Sequence, residues 1–131
     1  MARTWQFRSR GPRIRNSNKG VVVDGWRFDS QAEAQHYRWL RVLKEQGEIL
    51  GFDIHPRFRL SPHMTYEADF TVYFPDGGIE VQDVKGFETR EFKRKERIFN
   101  ELHPLAPLVK IPAKAVAKPG AVRAIPARRM P

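Results

Sequence analysis

The sequence predicts an α/β domain in which a central mixed β-sheet is flanked by helices. Strand-like segments, in which apolar and polar residues alternate, are interspersed with two stretches that have the 3.6-residue periodicity of amphipathic helices. The chain has 131 residues, a length that builds one modest core rather than two. We therefore expect one folded domain over residues 19–111, between a basic arm at residues 1–18 and a basic, proline- and alanine-rich tail at residues 112–131 that is disordered.

The folded domain is predicted to begin with a hairpin and a helix. Short strands at Val21–Val23 and Trp26–Phe28 surround Asp24-Gly25, a dipeptide typical of tight hairpins. Ser30 then begins a helix that ends near Gly47, because serine is a favoured N-cap and glycine commonly follows a helix end.

An extended stretch and a second hairpin are predicted next. Residues Ile49–Leu60 are extended, and Pro56 places this stretch at a sheet edge or a bend. Strands at Thr65–Phe74 and Ile79–Val84 surround Pro75-Asp76-Gly77-Gly78, and this turn-forming cluster predicts that they pair as a hairpin. A second helix and a last short strand follow, at Thr89–Leu102 and Leu108–Ile111.

The segment Glu80-Val81-Gln82-Asp83-Val84-Lys85 is the main functional signal. Side chains alternate along a strand, so Asp83 and Lys85 share one face, and the hairpin makes Asp69 a cross-strand neighbour of Asp83. Adjacent carboxylates repel each other, and a bound cation would remove that penalty. Hard divalent cations take carboxylate and phosphate oxygens, and a lysine beside them supports charge in phosphoryl chemistry. The pattern predicts a metal-dependent phosphodiester-cleaving site; an ordinary same-face Asp-Lys pair on a strand is the alternative.

Glu33 has two interpretations. Ser30-Gln31-Ala32-Glu33 is a capping box, in which the serine bonds a first-turn amide and the glutamate reaches back to the cap. The predicted buried stripe of this helix comprises Ala32, His36, Trp39, Leu40 and Leu43. Glu33 lies at the flank of that stripe, from which it can face the end of the sheet. The capping and catalytic roles do not exclude each other.

In chain order, Glu33, Asp69 and Asp83-Val84-Lys85 resemble the PD-(D/E)XK nuclease superfamily. More narrowly, residues Lys19 to Ile111 resemble a family of small phage-encoded domains in that superfamily, similar to Holliday-junction resolvases. Four segments carry this resemblance, at Val22–Ser30, Gln31–Ala34, Ala68–Phe70 and Asp83–Gly86. Ala68 departs from the superfamily pattern, in which proline is common, and the acid before the lysine is Asp83 rather than glutamate.

The resemblance implies a restriction-endonuclease-like core and a catalytic site with Mg²⁺ or Mn²⁺ as cofactor. Asp69 and Asp83 would be metal ligands, Lys85 would be catalytic, and Glu33 would bind the metal directly or through a neighbouring group. The implied activity is a DNA endonuclease in phage recombination or DNA processing. Branched DNA, with Holliday junctions as the leading case, is the expected substrate, because so small an enzyme has little surface for reading a long sequence. Symmetric junction cleavage would require a homodimer.

The net charge of +9 is concentrated at the two ends of the chain. Residues 1–20 and 102–131 hold 12 of the 24 Lys and Arg residues and no acid, so the centre contains all 15 acids and has a net charge of −3. We expect the arms to bind DNA phosphates with little sequence specificity. The residues expected to do so in the N-terminal arm are Arg10, Arg13 and Arg15. Solubility or generic adhesion to RNA is the alternative.

The second predicted helix has a basic stripe at positions i, i+3, i+4 and i+7. Its members are Arg90, Lys93, Arg94 and Arg97. Because the helix directly follows Lys85-Gly86, the stripe is predicted to lie along the active-site cleft and bind phosphates. The alternative is a solvated face that is partly neutralised by Glu91, Glu96 and Glu101.

Composition excludes several other classes of protein. Cysteine is absent, which rules out disulfides and thiolate metal sites, and the four histidines lack zinc-site spacing. No apolar run is long enough to span a bilayer and no secretory signal is recognisable, so we expect no membrane association and a cytoplasmic location, in the host cell if the protein is phage-encoded. A non-catalytic basic nucleic-acid-binding protein is the alternative function, and a nuclease acting mainly on RNA is a third.

Overall fold

Two small hairpins, a four-stranded sheet and two helices make up the fold. The structure is a computed structural model, and it describes residues 20–116. In chain order the elements are β1 (Val21–Val23), β2 (Trp26–Phe28), α1 (Gln31–Glu45), β3 (Gly51–Ile54), β4 (Arg57–Ser61), β5 (Met64–Glu67), β6 (Phe70–Tyr73), β7 (Ile79–Lys85), α2 (Arg90–Leu102), β8 (Leu108–Pro112) and a 3-10 turn (Ala113–Ala115).

The central sheet has the strand order β3-β6-β7-β8 and is mixed. Strand β6 pairs antiparallel with both β3 and β7, whereas β7 and β8 are parallel. Parallel neighbours require a crossover connection, and α2 provides it. The strands β1 and β2 form one separate hairpin, and β4 and β5 form another.

The two helices cover opposite faces of this sheet. Val81 and Gln82 are consecutive residues of β7, so their side chains point to opposite faces. Gln82 Oε1 accepts a hydrogen bond of 2.9 Å from the His36 ring of α1, whereas Val81 packs in one cluster with Phe92 and Phe99 of α2. The predicted fold class, an α/β domain with a mixed sheet flanked by helices, is confirmed.

The local signals for the first hairpin and helix are also confirmed. Asp24 and Gly25 form the tight turn between β1 and β2, and both have positive φ angles, 54° and 84°, as a two-residue primed turn requires. The Ser30 side chain caps α1 by accepting from the Glu33 N–H. The chain leaves the helix at Gly47 with φ of 79°.

The predicted strand Thr65–Phe74 was wrong as a single element. Strand β5 pairs with β4, whereas β6 pairs with β3 and β7. The chain changes from one sheet to the other at Ala68 and Asp69, and this change of partner breaks the strand. Ile49–Leu60 is divided in the same way into β3 and β4, with Pro56 at the bend between them.

Ordered structure extends beyond the predicted domain end at Ile111. Pro112 completes β8 opposite Lys85, and Val116 is buried, so residues 112–116 belong to the folded part rather than to a disordered tail. The reason is that parallel pairing with β7 continues for the full length of β8. The rest of the predicted tail and the N-terminal arm, with Arg10, Arg13 and Arg15, lie outside the described residues.

Candidate metal centre and active site

Asp69 and Asp83 are brought together at the point where β6 begins. Phe70 is paired with Gln82, so the preceding residue Asp69 lies beside Asp83. The Asp69 N–H donates to Asp83 Oδ1 at 2.9 Å, and the Val84 N–H donates to Asp69 Oδ2 at 2.8 Å. Each carboxylate thus accepts a hydrogen bond from the backbone on the other side of the pair. Asp69 and Asp83 are cross-strand neighbours, as the hairpin pattern predicted.

Lys85 projects from the same face of β7 as Asp83. Its Nζ lies 3.7 Å from Asp83 Oδ2 and 4.0 Å from the centroid of the Phe92 ring in α2. A cation over an aromatic face is attracted by the ring quadrupole, so α2 helps to hold the ammonium group near the carboxylate. The lysine side chain remains 26% exposed, and it can therefore reach a ligand that approaches from solvent.

Glu33 joins this group from the first turn of α1. It is buried at 4% exposure, so it lies inside the helix's buried stripe and not at its flank, while Ala32 and Trp39 are only half-buried. Glu33 Oε1 accepts from the Asp29 N–H at 3.0 Å, and the Glu33 N–H donates to Ser30 Oγ at 3.1 Å. One oxygen of the Glu33 carboxylate therefore accepts a hydrogen bond from the backbone just before α1, and the other is directed toward the candidate site.

His55 is a neighbour of the site that sequence reasoning missed. Its Nε2 lies 3.5 Å from Glu33 Oε2, and its N–H donates to the Asp69 carbonyl at 2.9 Å. The residue has φ of 54°, a left-handed conformation that is uncommon for a non-glycine residue. No periodicity signals this contact, because it depends on the chain turning between β3 and β4 beside the start of α1.

Tyr66 is a second residue whose role the sequence did not reveal. Its hydroxyl donates to Asp83 Oδ2, and the ring is buried against Phe92 and Phe99. The Tyr66 ring is therefore not available to stack on a base of a bound nucleic acid. Its position on an alternating strand just before Asp69 was the one available signal that it faces the core.

The environment of the two aspartates disfavours a second negative charge. Burial raises the pKa of Asp69, and so do the Asp83 carboxylate and a side-chain hydrogen bond with Glu33. Burial also raises the pKa of Asp83, although the Tyr66 hydroxyl and Lys85 oppose that shift. Without a further cation, the cluster therefore retains a proton at pH values where an exposed aspartate is ionised.

The donor chemistry of this cluster fits a hard divalent cation. Within residues 20–116, no three His, Cys, Asp or Glu side chains are arranged in coordinating geometry, and the carboxylate oxygens are instead engaged with N–H groups, Tyr66 and His55. The raised pKa values nevertheless show that burial, together with the neighbouring carboxylates, disfavours ionisation of Asp69 and Asp83, and a bound cation would offset both effects. Mg²⁺ and Mn²⁺ satisfy such all-oxygen sets, and Asp69, Asp83 and Glu33 are the residues that would hold them.

The basic stripe of α2 does not face this cluster. Phe92 and Phe99 pack toward the sheet and Lys85 lies over the Phe92 ring, so the stripe is on the far side of the helix. Its four members, Arg90, Lys93, Arg94 and Arg97, are all exposed. None of them has an ion-pair partner among the described residues, because Glu91 binds Lys95 and Glu96 binds Lys110. The predicted position along the cleft was wrong, and the stripe is an unpaired cationic surface.

Comparison with known families identifies one match. The model of the family described as "Protein of unknown function (DUF1064)" matches residues 13–110, a range that includes every candidate residue of the cluster. No curated protein and no solved structure matches the chain. Over residues 20–116, neither helix is long and apolar enough to cross a membrane.

Proposed function

The chain belongs to the DUF1064 family, and we propose that it is a divalent-metal-dependent DNA endonuclease that cleaves phosphodiester bonds in branched DNA. The observation that carries this proposal is the convergence of Asp69, Asp83 and Lys85 where β6 begins and β7 ends. A lysine 3.7 Å from a buried carboxylate, with a second carboxylate bonded to the same strand, is a set of groups that suits metal-assisted phosphate hydrolysis.

The pattern of these residues along the chain supports the same chemistry. Glu33 on a helix, Asp69 at a strand start, and Asp83 with Lys85 on the next strand follow the order that resembles the PD-(D/E)XK nucleases. The contact between Glu33 and Asp69 supports the inclusion of the helix residue. An ordinary surface Asp-Lys pair would not need a buried tyrosine and a second acid beside it.

Each residue has a distinct part in the proposed site. Asp69 and Asp83, with Glu33 as a third carboxylate, would hold Mg²⁺ or Mn²⁺, which when bound neutralises phosphate charge and lowers the pKa of a water molecule. Lys85 is placed to donate a hydrogen bond to a phosphate oxygen and to offset the negative charge that develops there. The Tyr66 hydroxyl and the Asp69 N–H fix the orientation of Asp83, and Glu33 is fixed by Asp29 and His55.

A cleavage panel tests this proposal. The full chain is incubated with linear duplex, single-stranded, flap and four-way-junction DNA and with RNA, in Mg²⁺, in Mn²⁺ and in EDTA. We expect cleavage that requires metal and is fastest on branched DNA. If the wild-type protein cuts no DNA substrate with either metal, the nuclease proposal is refuted. The alternative function, a non-catalytic nucleic-acid-binding protein, would then remain. Faster cleavage of RNA than of any DNA substrate would make RNA the preferred substrate and would leave the assignment of the active site unchanged.

Matched variants connect the activity to the cluster. Asp83→Asn and Lys85→Ala should each lower the cleavage rate by about 10²-fold or more, the scale seen when one group that stabilises transition-state charge is removed. Asp53→Asn and Lys44→Ala change exposed residues away from the cluster and should cut at the wild-type rate. DNA binding in EDTA should be nearly the same for all five proteins, so a loss of cleavage reports chemistry rather than affinity.

A further inference from the structure

Phe87 is an exposed aromatic residue that lies close in the chain to Lys85 of the candidate active site. It follows Lys85 by two positions, in the short connection between β7 and α2, and its side chain is 80% exposed. No other aromatic residue in the range 20–116 is as exposed. A phenylalanine left in water forgoes the favourable free energy that burial of its ring would supply.

The residues on both sides of Phe87 are anchored, so its outward position follows from the fold. Lys85 is the last residue of β7 and is paired with Pro112 of β8. Glu88 Oε1 lies 3.3 Å from Lys110 Nζ, and the Thr89 hydroxyl caps α2 by accepting from the Phe92 N–H at 3.0 Å. With its neighbours held in this way, the ring of Phe87 is left exposed to solvent.

The surface next to Phe87 has the charge of a nucleic-acid contact. The basic stripe of α2 begins three residues later, and its four cations are exposed, with no acidic partner among residues 20–116. Proteins that bind single-stranded nucleic acid combine cations that follow the backbone with aromatic side chains on which bases stack. A buried duplex base offers no free face to such a ring, whereas an unpaired base does.

We propose that Phe87 stacks on an unpaired base next to the cleaved phosphate, while the basic stripe, on the side of α2 that faces away from the cluster, holds the backbone of that single-stranded segment where it leaves the site. The surface thereby selects DNA in which a single-stranded or unstacked region adjoins a duplex. This inference rests on the proposed function in taking DNA as the substrate, and it assigns the feature of branched DNA that is recognised. Phe87 is a specificity residue and takes no part in bond cleavage.

Binding in EDTA, where no cleavage occurs, tests the inference separately from catalysis. Two probes of the same sequence are compared, a blunt duplex and a duplex with a single-stranded overhang, with full-length protein at physiological salt, where contacts to phosphate alone are weakened. Phe87→Ala should weaken binding to the overhang probe roughly 10-fold, within the range of about 1–3 kcal/mol for one base stacked on an aromatic ring. Binding to the blunt duplex should be unchanged, and Phe87→Trp should retain overhang binding.

Leu105→Ala is the matched control, because Leu105 is an apolar residue that is 90% exposed and lies at the opposite end of α2. It should bind both probes as wild type does. Equal binding of the overhang probe by Phe87→Ala and wild type would overturn the inference, and so would an equal loss on both probes. Loss of a protein dimer in Phe87→Ala would overturn it as well, since Phe87 would then contact another chain.

The outcomes separate the two proposals. If the protein cleaves DNA in a metal-dependent way but Phe87→Ala does not change overhang binding, the nuclease proposal stands and the proposed role of Phe87 in recognition is refuted. If overhang binding depends on Phe87 but the protein cleaves no DNA, the proposed role of Phe87 in recognition stands and the nuclease proposal is refuted.

Discussion

Asp83 is a buried carboxylate, only 2% exposed, and it is stabilised by groups of three kinds. A backbone N–H, the Tyr66 hydroxyl and the Lys85 ammonium all approach it. Strand alternation alone predicts that Asp83 and Lys85 share a face, because that relation is local. It cannot predict Tyr66 as a partner of Asp83 or His55 as a partner of Glu33, because those contacts depend on how β5 and the β3–β4 connection pack against other elements.

Tyr66→Phe tests the contribution of the hydroxyl at Asp83. Removing it leaves a buried carboxylate with one fewer donor, so we expect the free energy of unfolding in EDTA to fall by about 1.5–3 kcal/mol, as for hydrogen bonds to charged groups. Tyr73→Phe is the control, since its hydroxyl donates to the exposed Asp53 and should cost less than about 1 kcal/mol. Urea denaturation measures both, and equal losses would contradict the role assigned to Tyr66.

His36 gives a pH-dependent prediction that is independent of the site. Its ring is fully buried, donates to Gln82 and has no hydrogen-bond partner at Nδ1 within the described range 20–116, and burial lowers its pKa to about 4. The unfolded chain therefore binds more protons between about pH 6.5 and pH 4. The contribution of neutral His36 to the free energy of unfolding is therefore fully present above pH 6.5. It falls by up to about 3 kcal/mol as the pH decreases toward 4.

Two measurements check the His36 prediction. The His36 ring resonances should titrate near pH 4 in the folded protein, and a titration near pH 6.5 would contradict the burial argument. The free energy of unfolding of His36→Gln should also depend less on pH than that of wild type over this range, whatever its absolute stability.

At the scale of elements, α1 carries both a helix cap and a site residue in its first turn. Glu33→Gln keeps an oxygen that can accept from the Asp29 N–H but removes the negative charge. We therefore expect Glu33→Gln to be no less stable than wild type in EDTA, because it lowers the negative charge of the buried cluster, while cleavage falls by about 10²-fold. Glu33→Ala should lose about 1 kcal/mol of stability in addition to activity. Full activity in Glu33→Gln would show that Glu33 acts only as a cap.

The elements also show where sequence patterns are sufficient. The β1–β2 turn, the Ser30 cap of α1 and the turn before β7 depend on residues close in the chain, and they were predicted correctly. The break between β5 and β6 was not, because Met64 to Tyr73 alternates as one strand would. The two halves are separate strands because they pair with different partners, β5 with β4 and β6 with β3 and β7. These pairings depend on contacts between segments that are distant in the sequence.

At the scale of the whole molecule, the acids are concentrated between basic ends, and three carboxylates meet inside the domain. This arrangement predicts that metal stabilises the fold. Mn²⁺ at ten times its dissociation constant should raise the free energy of unfolding by about 1.4 kcal/mol, read as a higher thermal midpoint. Asp69→Asn should be more stable than wild type in EDTA, since it removes a repelling carboxylate, and should not respond to Mn²⁺.

Asp53→Asn is the control for this measurement, because that exposed carboxylate lies on β3 outside the cluster. It should respond to Mn²⁺ as wild type does. A midpoint that Mn²⁺ raises equally in Asp69→Asn would place the bound metal elsewhere in the protein.

The most direct test of the nuclease is the single-turnover cleavage rate of four-way-junction DNA by wild type and by Asp83→Asn, in Mg²⁺ and in EDTA. We predict that wild type cleaves only in Mg²⁺ and that Asp83→Asn is slower by about 10²-fold or more, with junction binding in EDTA unchanged. Cleavage by Asp83→Asn at the wild-type rate, or a wild-type rate that does not depend on Mg²⁺, would contradict the assignment of this cluster as the active site.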